Sequence, residues 1–116
     1  MTARDVQKIL GARVLVGEEF LDREITSACA SDMMSDVLAC VTEDTLLLTG
    51  MVNSQCVRTC EMLDVPCVIF VRSKEPLADA LALAREIGLP MLKTPYTMFE
   101  SCARLYTAGL KPVELG

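Results

Sequence analysis

Short apolar runs alternate along this chain with longer segments whose apolar positions recur at helical spacing. The clearest runs are "LLLTG", which follows Thr45, and "CVIFV" over residues 67–71. A run without polar alternation is typical of a strand that is covered on both faces of its sheet. Helix-like segments follow these two strands, over 54–63 and near 76–87. The pattern therefore predicts parallel strands joined by crossover helices.

The remaining segments add elements of the same two kinds. Thr2 caps a predicted helix over residues 2–10, and Gly11 ends it. Further strands are predicted over 13–17, 24–30 and 91–94, and further helices over 31–41, with Ser31 or Asp32 as the cap, and over 98–108. We expect a single domain, residues 1–116, with an α/β fold. The predicted arrangement is a three-layer sandwich with a mostly parallel sheet of about five strands and crossover helices on both faces.

Polar loops follow four of the predicted strands. The carboxyl ends of parallel strands gather at one edge of a sheet, where ligands tend to bind. We therefore expect these loops to lie together and to supply any ligand-binding site. The candidate residues are Asp32, Thr49, Gly50, Asn53, Arg72, Ser73, Lys74, Thr94 and Thr97. Thr97 also fits a capping box with Glu100.

Two interpretations of these loops stay open. Gly50 can take a positive φ at its turn, and Asn53 can cap the next helix, whose exposed N–H groups attract anions. The loop lacks both the "GxxxxGK[ST]" and the "GxGxxG" phosphate motifs, so it also fits a plain capped turn. Similarly, Arg72 and Lys74 can hold a phosphate or carboxylate, or can form a solvated turn before Pro76.

The composition excludes several classes of function. A net charge of −5 argues against partners held by phosphate contacts, so we expect no nucleic acid and no anionic lipid. The absence of histidine removes Ser-His-Asp and Cys-His catalysis, and no other catalytic constellation occurs, so an enzyme is not expected. No apolar run is long enough to cross a bilayer, and the N-terminus lacks the features of a signal peptide. We expect a cytoplasmic protein that holds no cofactor.

Six cysteines raise the question of metal binding. Cys56 and Cys60 lie four residues apart, so they share one face of the predicted helix 54–63 and can reach one metal ion. That face also carries Val57 and Leu63, and free cysteine is among the most buried residue types. We expect reduced thiols that serve as small apolar packing residues. A metal or cluster held by Cys56, Cys60 and a third thiol remains the alternative.

Four blocks of the sequence carry a family resemblance. They are "ASDMMSDVLA" (30–39), "LLLTGMVNSQCVRTCEMLDV" (46–65), "VIFVRSKEP" (68–76) and "PYTMFESCARLYTAGL" (95–110). Together they resemble the small stand-alone proteins of the DRTGG-domain family. The chain departs from the signature that names this domain. Val52-Asn53 stand near the position of its Asp-Arg, and Arg72-Ser73-Lys74 replace its Thr-Gly-Gly, so no ligand is carried over to these loops.

The resemblance implies a general role. The family is similar to DRTGG modules attached to phosphotransacetylases and to regulatory CBS-type pyrophosphatases, where the module is an accessory, dimer-forming domain. Stand-alone members often occur beside redox genes, including those of iron hydrogenases, in anaerobic bacteria. The resemblance implies a non-catalytic dimeric regulatory or interaction module with a protein partner in redox metabolism. The polar loops add the expectation that this module senses a small anionic ligand. The alternative is a redox accessory protein whose thiols hold a metal or an iron–sulfur cluster.

The composition itself also predicts a homodimer. Apolar residues make up 52% of only 116 residues, which is more than a small core needs. The surfaces expected to pair are the first helix and the exposed side of the helix that carries Met33-Met34.

Overall fold

A computed structural model describes residues 1–114 of the chain. The strands are β1 (Arg13–Val16), β2 (Ser27–Ala30), β3 (Thr45–Thr49), β4 (Val68–Phe70), β5 (Met91–Lys93) and β6 (Lys111–Pro112). The helices are α1 (Ala3–Leu10), α2 (Met34–Cys40), α3 (Ser54–Met62), α4 (Ala78–Ile87) and α5 (Met98–Thr107), and a short 3₁₀ turn covers Glu18–Phe20. The predicted alternation of strands and helices is confirmed.

The strands form one sheet in the order β1-β5-β4-β3-β2-β6. β1 runs antiparallel to β5, and every other neighbouring pair is parallel. β3 and β4 lie in the middle, and every one of their residues is buried, as unbroken apolar runs predict. The sheet has one strand more than expected, because Lys111–Pro112 pair with Ser27–Ala28 at its edge.

Helices cover both faces of the sheet, which confirms the three-layer sandwich. α1 and α5 pack against each other on one face, over a core that includes Leu46, Leu48 and Ile69. On the other face α3 packs against α2 and α4, over a core that includes Leu47 and Phe70. Alternate residues of β3 thus enter opposite cores, because successive side chains of a strand point to opposite faces. None of the helices within residues 1–114 has the length and apolarity to cross a membrane.

α1 begins and ends where the sequence places it. Thr2 is the N-cap residue, and its hydroxyl accepts the N–H of Asp5 at 3.3 Å. The Asp5 carboxylate accepts the N–H of Thr2 in return at 2.9 Å, which completes a capping box. Gly11 follows the helix with a φ of 54°. This left-handed conformation costs glycine least.

Two boundaries differ from the sequence-based expectation because tertiary contacts replace local ones. β2 begins at Ser27 rather than at residue 24, since the N–H of Ile25 donates to the carbonyl of Met1 at 2.7 Å. α4 begins at Ala78, with Leu77 as its N-cap residue. The N–H of Leu77 donates to the carbonyl of Val52 at 2.9 Å, so Leu77 stays extended and the helix begins later than predicted.

The predicted cap of α2 is wrong. The helix begins at Met34 with Met33 as N-cap residue, and no side chain caps it. The hydroxyl of Ser31 accepts the N–H of Met33 at 3.1 Å, which forms a local turn ahead of the helix. Asp32 instead directs its carboxylate across the sheet edge toward Gly50.

Candidate functional site

Gly50 lies between two opposite charges at the carboxyl ends of the parallel strands. Its N–H donates to Oδ1 of Asp32 at 2.6 Å, and its carbonyl accepts from Nζ of Lys74 at 3.2 Å. The hydroxyl of Thr49 donates to the same Oδ1 at 3.3 Å. A β-carbon at Gly50 would lie 3.2 Å from Oδ1 and 3.5 Å from Nζ. Glycine therefore lets both charged groups approach the main chain.

A strained turn after β4 carries the two cations predicted for this edge. Arg72 and Ser73 have φ values of 55° and 54°, which residues other than glycine seldom adopt. Their N–H groups donate to the carbonyls of Tyr96 and Thr94, each at 2.8 Å. These bonds to the loop after β5 hold the turn in its left-handed conformation. The turn leaves Arg72 exposed and Lys74 half-buried.

The loop before α3 uses several of its polar groups within the fold. The hydroxyl of Thr49 accepts the N–H of Met51 at 3.1 Å. Oδ1 of Asn53 accepts the N–H of Cys56 at 3.1 Å, so Asn53 caps α3 as predicted. The amides of the first helical residues, Ser54 and Gln55, have no acceptor within an α-helix. They form the part of this loop where an anion can still gain N–H donors.

The threonines after β5 serve the fold. Thr94 is fully buried, and its hydroxyl donates to the carbonyl of Leu10 at the end of α1, at 2.7 Å. Thr97 caps α5, because its hydroxyl accepts the N–H of Glu100 at 3.2 Å. The Glu100 carboxylate turns to Arg104, 2.9 Å away, rather than back to the N-cap residue. Only the cap itself matches the predicted capping box.

The four loops thus form one connected edge. Asp32 bonds to Gly50, Gly50 to Lys74, and the turn before Lys74 to Thr94 and Tyr96. Sequence reasoning brought these segments together but did not predict the contact between Asp32 and Gly50. The signal for its central place is the strand order, because β2 lies directly beside β3 and the residues after the two strands become neighbours.

The cysteines divide between the two faces of the sheet. Cys56 and Cys60 belong to the core beneath α3, and Cys67 belongs to the core beneath α1 and α5. Burial raises the pKa of the Cys67 thiol to about 12. The hydrogen bond that the Cys60 thiol donates to Cys56, together with burial, raises the pKa of Cys60 above its ordinary value. Among residues 1–114, no group of three or more Cys, Asp or Glu side chains is arranged to hold a metal ion.

An apolar groove lies at the opposite end of the sheet from β1. It has a volume of about 380 Å³ and runs between α5 and the β2–β6 edge. Phe99 is 85% exposed and Tyr106 is 69% exposed, and both line it with Ala103. Residues 99, 103 and 106 share one face of α5 by helical spacing. This face is the most aromatic surface of the described chain.

The fold is similar to that of a solved regulatory region. That structure contains the CBS and DRTGG domains of the regulatory region of Clostridium perfringens pyrophosphatase, complexed with the activator diadenosine tetraphosphate. The TM-score is 0.67 at 15% sequence identity, over 88% of this chain. This chain matches 44% of the length of that one, less than half of it.

A comparison with curated proteins finds no match. The DRTGG domain, in contrast, matches the sequence over residues 5–108, which span nearly every element of the sheet and its helices. The six-stranded sandwich and this match agree, and the chain belongs to the DRTGG-domain family.

Proposed function

We propose that this chain is a non-catalytic regulatory module that binds a small anionic ligand at the edge formed by its four strand-end loops. The observation that carries the proposal is the position of Lys74, whose ammonium is held over Gly50 by a bond to the Gly50 carbonyl. An ammonium has three N–H donors, so two remain for a ligand. The exposed guanidinium of Arg72 lies two residues away on the same turn.

The backbone of this turn supports a binding role. Consecutive left-handed residues cost on the order of 1–3 kcal/mol each, and such strain clusters at ligand-binding and switch regions. Here the strain sets Arg72 and Lys74 on one turn at the edge of the sheet. Each charge-assisted hydrogen bond to a ligand contributes roughly 1.5–3 kcal/mol. Two such contacts alone contribute less than the roughly 8 kcal/mol that micromolar binding requires. Backbone amides must therefore add further hydrogen bonds to the ligand.

The likeness to a regulatory region of a pyrophosphatase supports a regulatory rather than a catalytic role. The sequence contains no histidine, and the Asp32 carboxylate already accepts two hydrogen bonds from the fold. Both of these bonds use the carboxylate to hold the loops of the edge together. We therefore assign binding, not chemistry, to the edge.

Calorimetric titration with inorganic phosphate and with adenosine 5′-monophosphate tests the proposal. Lys74→Ala should weaken the binding of both probes about tenfold or more, since one charge-assisted contact is lost. Its melting temperature should stay close to that of the wild type, because the side chain is only half-buried. Lys8→Ala on the exposed side of α1 is the matched control and should bind both probes normally. If Lys74→Ala and Arg72→Ala both bind the probes normally, this edge of the sheet is not the ligand-binding site.

We further propose that the module dimerises through the groove face of α5. The outer face of α1 is polar at Asp5 and Lys8, while the exposed residues Met33 and Leu38 of the α2 region lie apart from the groove. Phe99 and Tyr106 offer a larger surface than either of the faces expected from the sequence. A two-fold contact pairs the same patch on both copies.

The size of the α5 face fits a second copy of the chain. Two aromatic side chains that each bury about 150–250 Å² supply roughly 300–500 Å². A standard interface buries about 800 Å² per partner, so the rest of the groove would complete it. Lys111 is the single charged residue in the groove lining of the described chain, which keeps the repulsion between two copies low there.

Light scattering at micromolar concentration tests this surface. Phe99→Glu should give monomers, because two copies would bury like charges against each other. Met62→Glu is the control, since Met62 is 74% exposed on α3 and lies outside the groove. Dimers in Phe99→Glu, or monomers in the wild type, would contradict the proposal.

The thiol alternative is tested separately by anaerobic purification and elemental analysis. The cores that hold Cys60 and Cys67 lie on opposite faces of the sheet, so these thiols do not favour one metal site. Near-stoichiometric iron or zinc in the wild type that is lost in Cys56→Ser would favour the hypothesis that the thiols hold a metal. A protein partner in redox metabolism remains a prediction of the family resemblance.

A further inference from the structure

We propose that Asp32 makes the ligand edge selective for phosphates that carry neighbouring hydroxyl groups, as a nucleoside monophosphate does, over bare phosphate. The phosphate binds Lys74 and Arg72, and a ribose hydroxyl donates to the free oxygen of the Asp32 carboxylate. This inference rests on the proposed function, because it names the ligand class of the same edge.

The carboxylate of Asp32 is already oriented for such a contact. Its Oδ1 accepts the N–H of Gly50 at 2.6 Å and the hydroxyl of Thr49 at 3.3 Å. A carboxylate has about four lone-pair sites over its two oxygens, so Oδ2 keeps capacity for a further donor. The side chain is exposed at the edge, where a ligand can reach Oδ2. The two bonds from the fold hold the acceptor in place before any ligand arrives.

Opposite charges lie close together on the two sides of Gly50. Oδ2 of Asp32 and Nζ of Lys74 each stand 3.5 Å from the point where a Gly50 side chain would begin. An anion that approaches Lys74 therefore also approaches a fixed negative charge. A ligand without a donor meets only repulsion from Asp32, whereas a ligand with a hydroxyl gains a charge-assisted hydrogen bond from it.

The placement of Asp32 is one that open α/β sheets use for ribose. In dinucleotide-binding sheets, an acidic side chain beyond a neighbouring parallel strand accepts from a ribose hydroxyl, while the phosphates lie at the adjacent strand-to-helix turn. Here Asp32 follows β2 and the Gly50 turn follows β3, the next strand in the sheet. The cations on the β4 side supply the phosphate contact that the missing glycine-rich motif would otherwise give.

Adenosine 5′-monophosphate and its 2′,3′-dideoxy analogue form the test, because they differ only in the ribose hydroxyls. In calorimetric titrations the wild type should bind the hydroxylated nucleotide at least tenfold more tightly than the dideoxy analogue. Asp32→Ala should bring the two affinities within about twofold of each other, and it should bind inorganic phosphate no more weakly than the wild type. Asp32→Asn keeps an oxygen for the Gly50 N–H, so it provides a folded variant without the charge.

The outcomes separate this inference from the proposed function. If the wild type binds both nucleotides equally and Lys74→Ala weakens both, the edge binds anions but Asp32 does not select hydroxyls, and the inference is overturned. An unchanged preference in both Asp32 variants overturns it as well. If Lys74→Ala changes the binding of no probe, the proposed function fails first.

Discussion

Thr94→Val should destabilise the protein without changing its surface. The Thr94 hydroxyl donates to the carbonyl of Leu10 at 2.7 Å, and both residues are completely buried. Valine has nearly the same shape but no donor, so the Leu10 carbonyl at the end of α1 would lose its partner where water cannot replace it. An unsatisfied buried group costs about 1–3 kcal/mol. We expect a loss of about 2 kcal/mol in the free energy of unfolding, within that range.

Urea unfolding at unchanged m-value measures this loss. With an m-value of about 1–3 kcal/mol/M, a loss of this size moves the midpoint by roughly 1 M. Thr59→Val is the matched control, because the buried Thr59 hydroxyl donates to the Gln55 carbonyl at 3.0 Å. That carbonyl also accepts the helical N–H of residue 59, so it keeps a partner and the cost should stay within about 0.5 kcal/mol. Equal midpoints for the two variants would refute the reasoning.

Two further predictions concern the other edge of the sheet and the acid side of the pH range. Gly17→Ala should cost about 1–3 kcal/mol more than Gly11→Ala in urea unfolding. Both glycines have positive φ, but a β-carbon at Gly17 would lie 2.8 Å from Cα of Pro90, whereas Gly11 faces open space. The hydrogen bond from Arg23 holds the pKa of Asp64 below its usual value. The bond between Arg23 and the Asp64 carboxylate therefore adds to the free energy of unfolding above about pH 4. This contribution is lost as the pH falls and the carboxylate becomes protonated. Asp64→Asn should therefore flatten the acid branch of the stability curve, and an unchanged branch would contradict the assignment.

The alternation of strands and helices could be predicted from the sequence because it depends on local patterns. "LLLTG" and "CVIFV" contain no polar alternation, and such segments are stable only in the middle of a sheet with helices on both faces. Thr2, Asn53 and Thr97 cap their helices as predicted because a cap needs only its own helix end. The two-residue β6 carries no such pattern, since it exists only through its pairing with β2.

The roles of the site residues depended on contacts that no local pattern contains. Thr94 is near the edge in sequence, but its hydroxyl points to the end of α1, 84 residues earlier in the chain. Arg72 and Ser73 adopt left-handed φ values because carbonyls of the next loop accept their N–H groups. The Asp32 carboxylate bonds to Gly50 instead of capping α2, because β2 lies beside β3 in the sheet. The order of strands in a sheet cannot be read from a single sequence.

These long-range contacts also link the proposed ligand edge to the rest of the module. Asp32 accepts the N–H of Gly50 and Lys74 donates to the carbonyl of the same residue, so a ligand that drew Lys74 away would leave Gly50 held by Asp32 alone. Asp32 lies directly before α2, whose first turn has no side-chain cap. A helix start without a side-chain cap is less stable by about 1 kcal/mol, so we expect the start of α2 to respond to a change at Asp32. Since α2 packs on α3, we expect such a change to be felt next in the helical layer that these two helices form.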